Sequence, residues 1–201
     1  MRPRLLSAGT ILALVWVGGC AQTAPAPNPR ADSVPASPAT SVPTKPPAVE
    51  ILSWDQTQKR REGFRGKVVV LDVWSTYCDP CVREFPNLVT LQKHFGDKVR
   101  CISFDTDYSG AVREPPESFR KPVLDFLSKH GANELLNVIS SDASEDFFNK
   151  IHLGGPPAVF VYDQSGKLAH RFDNSQTPKT PELTYARDVV PLVEKLLTSK
   201  P

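Results

Sequence analysis

Val68, Val69, Val70, Leu71 and Val73 form an apolar run that ends in Trp74-Ser75-Thr76-Tyr77-Cys78-Asp79-Pro80-Cys81, and helical periodicity begins directly after it. A short apolar run bounded in this way reads as a buried strand. The layout therefore places two thiols at the carboxyl end of a strand, on the first turn of a helix. A helix N-terminus presents unpaired N–H groups and the positive end of a dipole, and both favour a thiolate over a thiol. The thiolate is the nucleophile of disulfide exchange. A second cysteine three residues on can resolve a mixed disulfide without large movement. The competing reading of the pair is half of a zinc site. Zinc asks for four ligands, usually a second C-x-x-C or closely spaced histidines. Here His94, His130, His152 and His170 are scattered singly, so no metal is expected.

The rest of the chain sorts around that unit. Ser53 caps a short helix running to Glu62, residues 67–73 form the strand, and 79–95 form the helix, with Val82, Phe85, Leu88, Val89 and Phe95 as its buried stripe. Residues 99–104 read as the next strand and 105–116 as a loop. A helix over 117–130 closes at Gly131, and a short strand at 136–139 precedes a helix to Lys150. Strands at 158–162 and 168–172 flank the turn Asp163-Gln164-Ser165-Gly166 and form a hairpin. The last helix spans 182–197. Early β-α-β units imply parallel strands covered by helices, and the hairpin adds an antiparallel edge. The expected class is α/β, a central mixed sheet flanked by helices, occupying residues 48–201.

The N-terminal quarter reads differently. Arg2 and Arg4 precede an apolar stretch over 5–17 that is too short to span a membrane, the pattern of an export signal. It ends at Val17-Gly18-Gly19-Cys20, which resembles the bacterial lipobox and implies a lipid-modified Cys20. The signal is assigned to residues 1–19. Residues 20–47 read as a disordered tether: eight of the chain's 20 prolines fall within 21–47, and residues large enough for a core are nearly absent. Fully extended, 27 such residues reach roughly 80 Å. Lys and Arg total 24 against 22 acidic residues, and loss of Arg2 and Arg4 with the signal leaves the mature chain neutral. No basic run marks a nucleic-acid footprint. Cys101, alone in an apolar strand pattern, reads as a small buried hydrophobe.

Residues 50–197 resemble the TlpA/ResA-like group of membrane-anchored thiol–disulfide oxidoreductases. The resemblance rests on Trp74, Cys78, Pro80, Cys81, Glu84 and Pro86, spaced W-x-x-x-C-x-P-C-x-x-E-x-P, and on the later Gly154-Gly155-Pro156-Pro157 segment. It implies a thioredoxin-like fold and a redox disulfide between Cys78, the attacking cysteine, and Cys81, the buried resolving one. It also implies a catalytic role for Glu84 in proton transfer. Asp72 stands where classical thioredoxins carry a buried aspartate, so it is the second candidate for that work. Pro157 is expected to be cis and to face the cysteines, with the Pro156 carbonyl left to pair with substrate backbone. Tyr77, directly before Cys78, is either a substrate-facing aromatic or packing. Asp79 beside Cys78 opposes a thiolate there, which suits a reductant better than an oxidant.

The implied activity is reduction of protein disulfides outside the cytoplasm, with cytochrome c maturation among the family's tasks. The implied partners are protein thiol or disulfide substrates, a membrane reached through the lipid anchor, and an upstream thiol reductant. No cofactor is required. A copper-binding or delivery module on the same fold is the alternative. His170 near the hairpin favours it, but the C-x-x-C spacing does not. A peroxidase reading fails at Leu71, where that chemistry needs proline.

Overall fold

The computed structural model describes residues 45–173 and 182–199. The expected signal, lipidation site and most of the expected tether lie outside them. Six strands build one sheet: β1 (Val49–Leu52), β2 (Val68–Trp74), β3 (Val99–Asp105), β4 (Leu136–Ser140), β5 (Ala158–Tyr162) and β6 (Leu168–Asp173). Their order is β1-β4-β3-β2-β5-β6. The first four run parallel, while β5 is antiparallel to β2 and β6 to β5. The expected mixed sheet with a hairpin edge is therefore present, with the thioredoxin-like arrangement of helices on both faces.

β2 is the centre of this architecture, and every one of its residues is buried. Side chains alternate along a strand. Val68, Val70 and Trp74 enter one core with Phe85, Leu88 and Leu91 of α2 (Asp79–Phe95), Val123 and Leu127 of α3 (Arg120–His130), and Val193 of α5 (Val190–Thr198). Val69, Leu71 and Val73 enter the other core, with Trp54 of α1 (Trp54–Glu62) and Phe147 of α4 (Ser144–Ile151). Asp72 has the parity of Val70 and Trp74, so it belongs to the α2 face. That placement is what makes the site possible.

Local signals explain the helix ends. Ser53 Oγ accepts from Gln56 N–H and Gln56 Oε1 accepts from Ser53 N–H, a complete capping box at the start of α1. Gly131 closes α3 in the left-handed region, at φ 67°. Gln92 of α2 is buried but fully engaged. Its amide donates to the Gly96 and Val99 carbonyls, and its carbonyl accepts from Cys101 N–H at 2.8 Å, fastening α2 to β3.

Three elements depart from the sequence reading. β1 is absent from it, because a four-residue edge strand is stabilised by pairing with β4, whose residues lie nearly ninety positions away. The expected helix over 117–130 divides into a 3₁₀ turn at Pro116–Phe119 and α3. The expected terminal helix does not begin at Glu182. A π-helical turn at Tyr185–Val189 precedes α5, and residues 182–184 are non-helical. Within α2, Val82 is only half-buried, while Leu91 and Gln92 join the buried face.

Candidate active site

β2 delivers the chain to a turn that is held from the side. Ser75 Oγ donates to Asp107 Oδ1 at 2.6 Å, Thr76 N–H donates to the same oxygen at 2.9 Å, and Thr76 Oγ1 donates to Asp107 Oδ2. Thr106 donates to the Trp74 carbonyl through both its N–H and its hydroxyl. Below the turn, Trp74 stacks on Phe126 at 4.6 Å and packs against Phe85 at 4.8 Å. The segment is thus fixed before the first cysteine.

Cys78 is the N-cap of α2. Its Sγ accepts from Cys81 N–H at 3.3 Å, and its carbonyl accepts from Val82 N–H. Cys78 and Cys81 are joined as a disulfide with their Cα atoms 5.2 Å apart. Cys78 is half-buried and packs at the margin of the core, whereas Cys81 is 3% exposed. The expected division into a reachable sulfur and a sheltered one is present in the geometry. Tyr77 is 81% exposed, so it is not packing.

Beneath the pair lies a small cleft lined by Asp72, Pro80, Cys81, Glu84, Pro157, Val159, Leu183 and Tyr185. The Pro156–Pro157 bond is cis. The fold therefore brings Cys81, Glu84, Asp72 and Pro157 to one place, as the sequence reading expects, with Pro156 adjoining. Asp72 is buried, and that burial pushes its carboxyl up to about 7, with the Glu84 charge adding to the effect and a hydrogen bond from Tyr185 opposing it. The Tyr185 hydroxyl donates to Asp72 Oδ2 at 2.8 Å. Burial and the nearby carboxylate push that phenol well above its ordinary value, so it keeps its proton. Glu84 is only half-buried; its Oε2 accepts from Tyr185 N–H at 2.9 Å and from Asn87 Nδ2 at 3.1 Å. Cys101 is a free, buried thiol on the same face, pushed strongly upward by burial, as expected of a packing residue.

Two residues that shape the site escape the sequence reading. Asp107 falls in a segment read only as loop, and Tyr185 in a segment read only as helix. Neither has a local signal, since each acts on residues far away in the chain. Asp105 beside Asp107 is buried with Oδ2 unpartnered, and burial together with the Asp107 charge pushes its carboxyl well up. Among the described residues no group of three His, Cys, Asp or Glu side chains is placed to hold a metal.

A cysteine pair on a helix start, sharing a cleft with a cis-proline and a buried carboxyl, is the arrangement of the thioredoxin fold, and comparison with known proteins agrees. The Redoxin family profile matches residues 38–189. The chain belongs to the Redoxin family. This redoxin is ResA-like: it is 26% identical over 129 residues to the thiol-disulfide oxidoreductase ResA of Bacillus thuringiensis, covering 64% of this chain and 66% of that one. It is 28% identical over 123 residues to ResA of Geobacillus kaustophilus, covering 60% and 62%. The matched stretch thus spans just under two-thirds of these relatives. Its fold is also that of a thiol-disulfide isomerase from Corynebacterium glutamicum, with a TM-score of 0.50 at 19% identity, covering 69% of this chain and 86% of that one.

Proposed function

We propose that this redoxin is an extracytoplasmic thiol–disulfide oxidoreductase that reduces protein disulfides. The observation that carries the reading is the Cys78–Cys81 pair, one sulfur reachable at the N-cap of α2 and the other sheltered. In the reduced enzyme the Cys78 thiolate attacks a substrate disulfide. A Cys78–substrate bond forms, the substrate S–S bond breaks, and the first substrate thiolate leaves and takes a proton. Cys81 then gives its proton to a base and attacks Cys78 Sγ. The Cys78–Cys81 bond forms, the mixed disulfide breaks, and the second substrate thiolate leaves and is protonated. Two electrons pass to the substrate, and an upstream thiol reductant returns them.

Asp72, buried in the cleft with Cys81, suits the role of base, since its carboxyl titrates near neutral pH. Glu84, half-buried on the same cleft, passes the proton outward to solvent. Pro157 and the Pro156 carbonyl flank the cysteines as a rest for the substrate chain, and exposed Tyr77 offers it an aromatic surface. The substrates are exported proteins with vicinal cysteine pairs, of which the C-x-x-C-H haem-attachment segment of a c-type apocytochrome is one form. Residues 1–19 direct export, a lipid on Cys20 holds the chain to the outer face of a membrane, and residues 20–47 space the domain from it. Among the described residues no helix is long and apolar enough to cross a membrane.

A redox titration tests the assignment. The couple is expected nearer thioredoxin, about −270 mV, than the oxidant DsbA, about −120 mV. A Cys81→Ser variant should trap substrates on Cys78. A midpoint at the oxidising end overturns the direction of reaction. Stoichiometric copper binding without disulfide reduction overturns the activity.

A further inference from the structure

Tyr185 bridges the two carboxylates of the cleft. Its backbone N–H is held by Glu84 of α2, and its hydroxyl reaches Asp72 of β2, 113 positions away in the chain. Several contacts fix the segment that carries it. Arg83 Nη2 binds both Glu182 oxygens at 2.9 Å. Asp188 Oδ2 accepts from Thr184 N–H, and Arg187 Nη2 donates to the Glu182 carbonyl. The π-helical turn Tyr185–Val189 then closes with Val190 N–H on the Tyr185 carbonyl. Single π turns are rare and concentrate at functional sites. Consecutive residues Arg83 and Glu84, one turn beyond Cys81, therefore grip the two ends of 182–185, and the side chain of Tyr185 is left pointing at Asp72, the buried carboxyl of the cleft that Cys81 lines.

We propose that Tyr185 is a positioning residue: its hydroxyl orients Asp72 and favours the ionised carboxylate that accepts the Cys81 proton. The inference rests on the proposed oxidoreductase activity. The ionisable groups around Asp72 are Tyr185 from the π turn, Glu84 and Cys81 from α2, and Cys101 from β3. Burial and the Glu84 charge disfavour the carboxylate, and the Tyr185 hydroxyl is the contact that opposes them. Tyr185 holds its own proton too tightly to act as the base. Its contribution is to keep Asp72 able to ionise near neutral pH, where a general base is most effective.

The variant Tyr185→Phe removes the hydroxyl and keeps the ring. The Asp72 titration, followed by carboxyl carbon NMR, should then move up by about one pH unit, the size of a lost hydrogen bond to a charged acceptor. Resolution of a preformed mixed disulfide on Cys78, measured in single turnover, should slow up to about fivefold at pH 7 and converge with wild type above pH 9, because only the ionised fraction of the base is lost. Glu84→Gln, at a half-exposed position, removes the like charge and should shift the Asp72 midpoint the other way. It also serves if Tyr185→Phe does not fold. An Asp72 midpoint unmoved by these variants overturns the proposal. A shifted midpoint with an unshifted rate profile also overturns it, because Tyr185 then does not act through the base. Absence of any disulfide exchange in the wild type overturns the proposed function instead, and the Asp72 titration, which needs no substrate, still decides whether Tyr185 sets that carboxyl.

Discussion

The two faces of the sheet are built from the same strands by different rules. On the α1/α4 face Trp54 meets Phe104, Phe147 and Phe160 at centroid distances of 5.3–5.5 Å, and the Tyr162 hydroxyl of that core donates to Gln58 at 3.1 Å. The α2/α5 face carries the same kind of aromatic packing around Trp74, but it also encloses Asp72, Tyr185 and the thiols of Cys81 and Cys101. A buried polar group is costly unless it is paired. The Asp72–Tyr185 hydrogen bond compensates only partly, since burial still pushes the Asp72 carboxyl up to about 7. One face is mainly aliphatic and aromatic packing. The other gives up stability to hold a group that changes charge near physiological pH.

Substitutions can break that contrast. Phe147→Ala on the aromatic face should destabilise the domain by about 3–5 kcal/mol, the usual loss for a buried ring, while leaving the Cys78–Cys81 potential unchanged. Urea unfolding and redox titration of one preparation would measure both; a shifted potential would show that the faces are coupled.

Asp72→Asn should act in the opposite direction and depend on pH. The folded carboxyl titrates near 7 against an ordinary value of 3.8, so between those values the native state holds a proton that the unfolded chain has lost. Wild-type stability is therefore full below about pH 4 and falls as pH rises through 7. The asparagine variant lacks that decline and should be more stable than wild type by up to about 4 kcal/mol at pH 8, with the difference vanishing toward pH 4. Unfolding curves across pH check this, and a pH-independent difference would contradict it. Tyr77→Ala, at the exposed edge, should change stability by less than about 0.5 kcal/mol. Its effect should appear only as a raised KM for a protein disulfide, not for a small one.

Much of this molecule is legible in its residues. The run into Cys78 and Cys81 is contiguous, so periodicity and helix-start chemistry alone locate β2, the dithiol and α2. The hairpin over residues 158–172 declares itself by its turn, and the capping box at Ser53 by its spacing. Asp72 and Glu84 are named by the resemblance to the TlpA/ResA-like group and to thioredoxins. Their depth cannot be read there: Asp72 is sealed between β3, β5 and the terminal segment, while Glu84 remains half-open. β1, the Asp107 clamp on Ser75 and Thr76, and Tyr185 join residues separated by 31 to 113 positions. Sequence by itself determined where the sulfur chemistry sits, since local backbone preference and side-chain period act over a few residues. Only the tertiary structure decided which groups tune it, since burial and hydrogen bonding across the sheet exist only once distant segments have packed together.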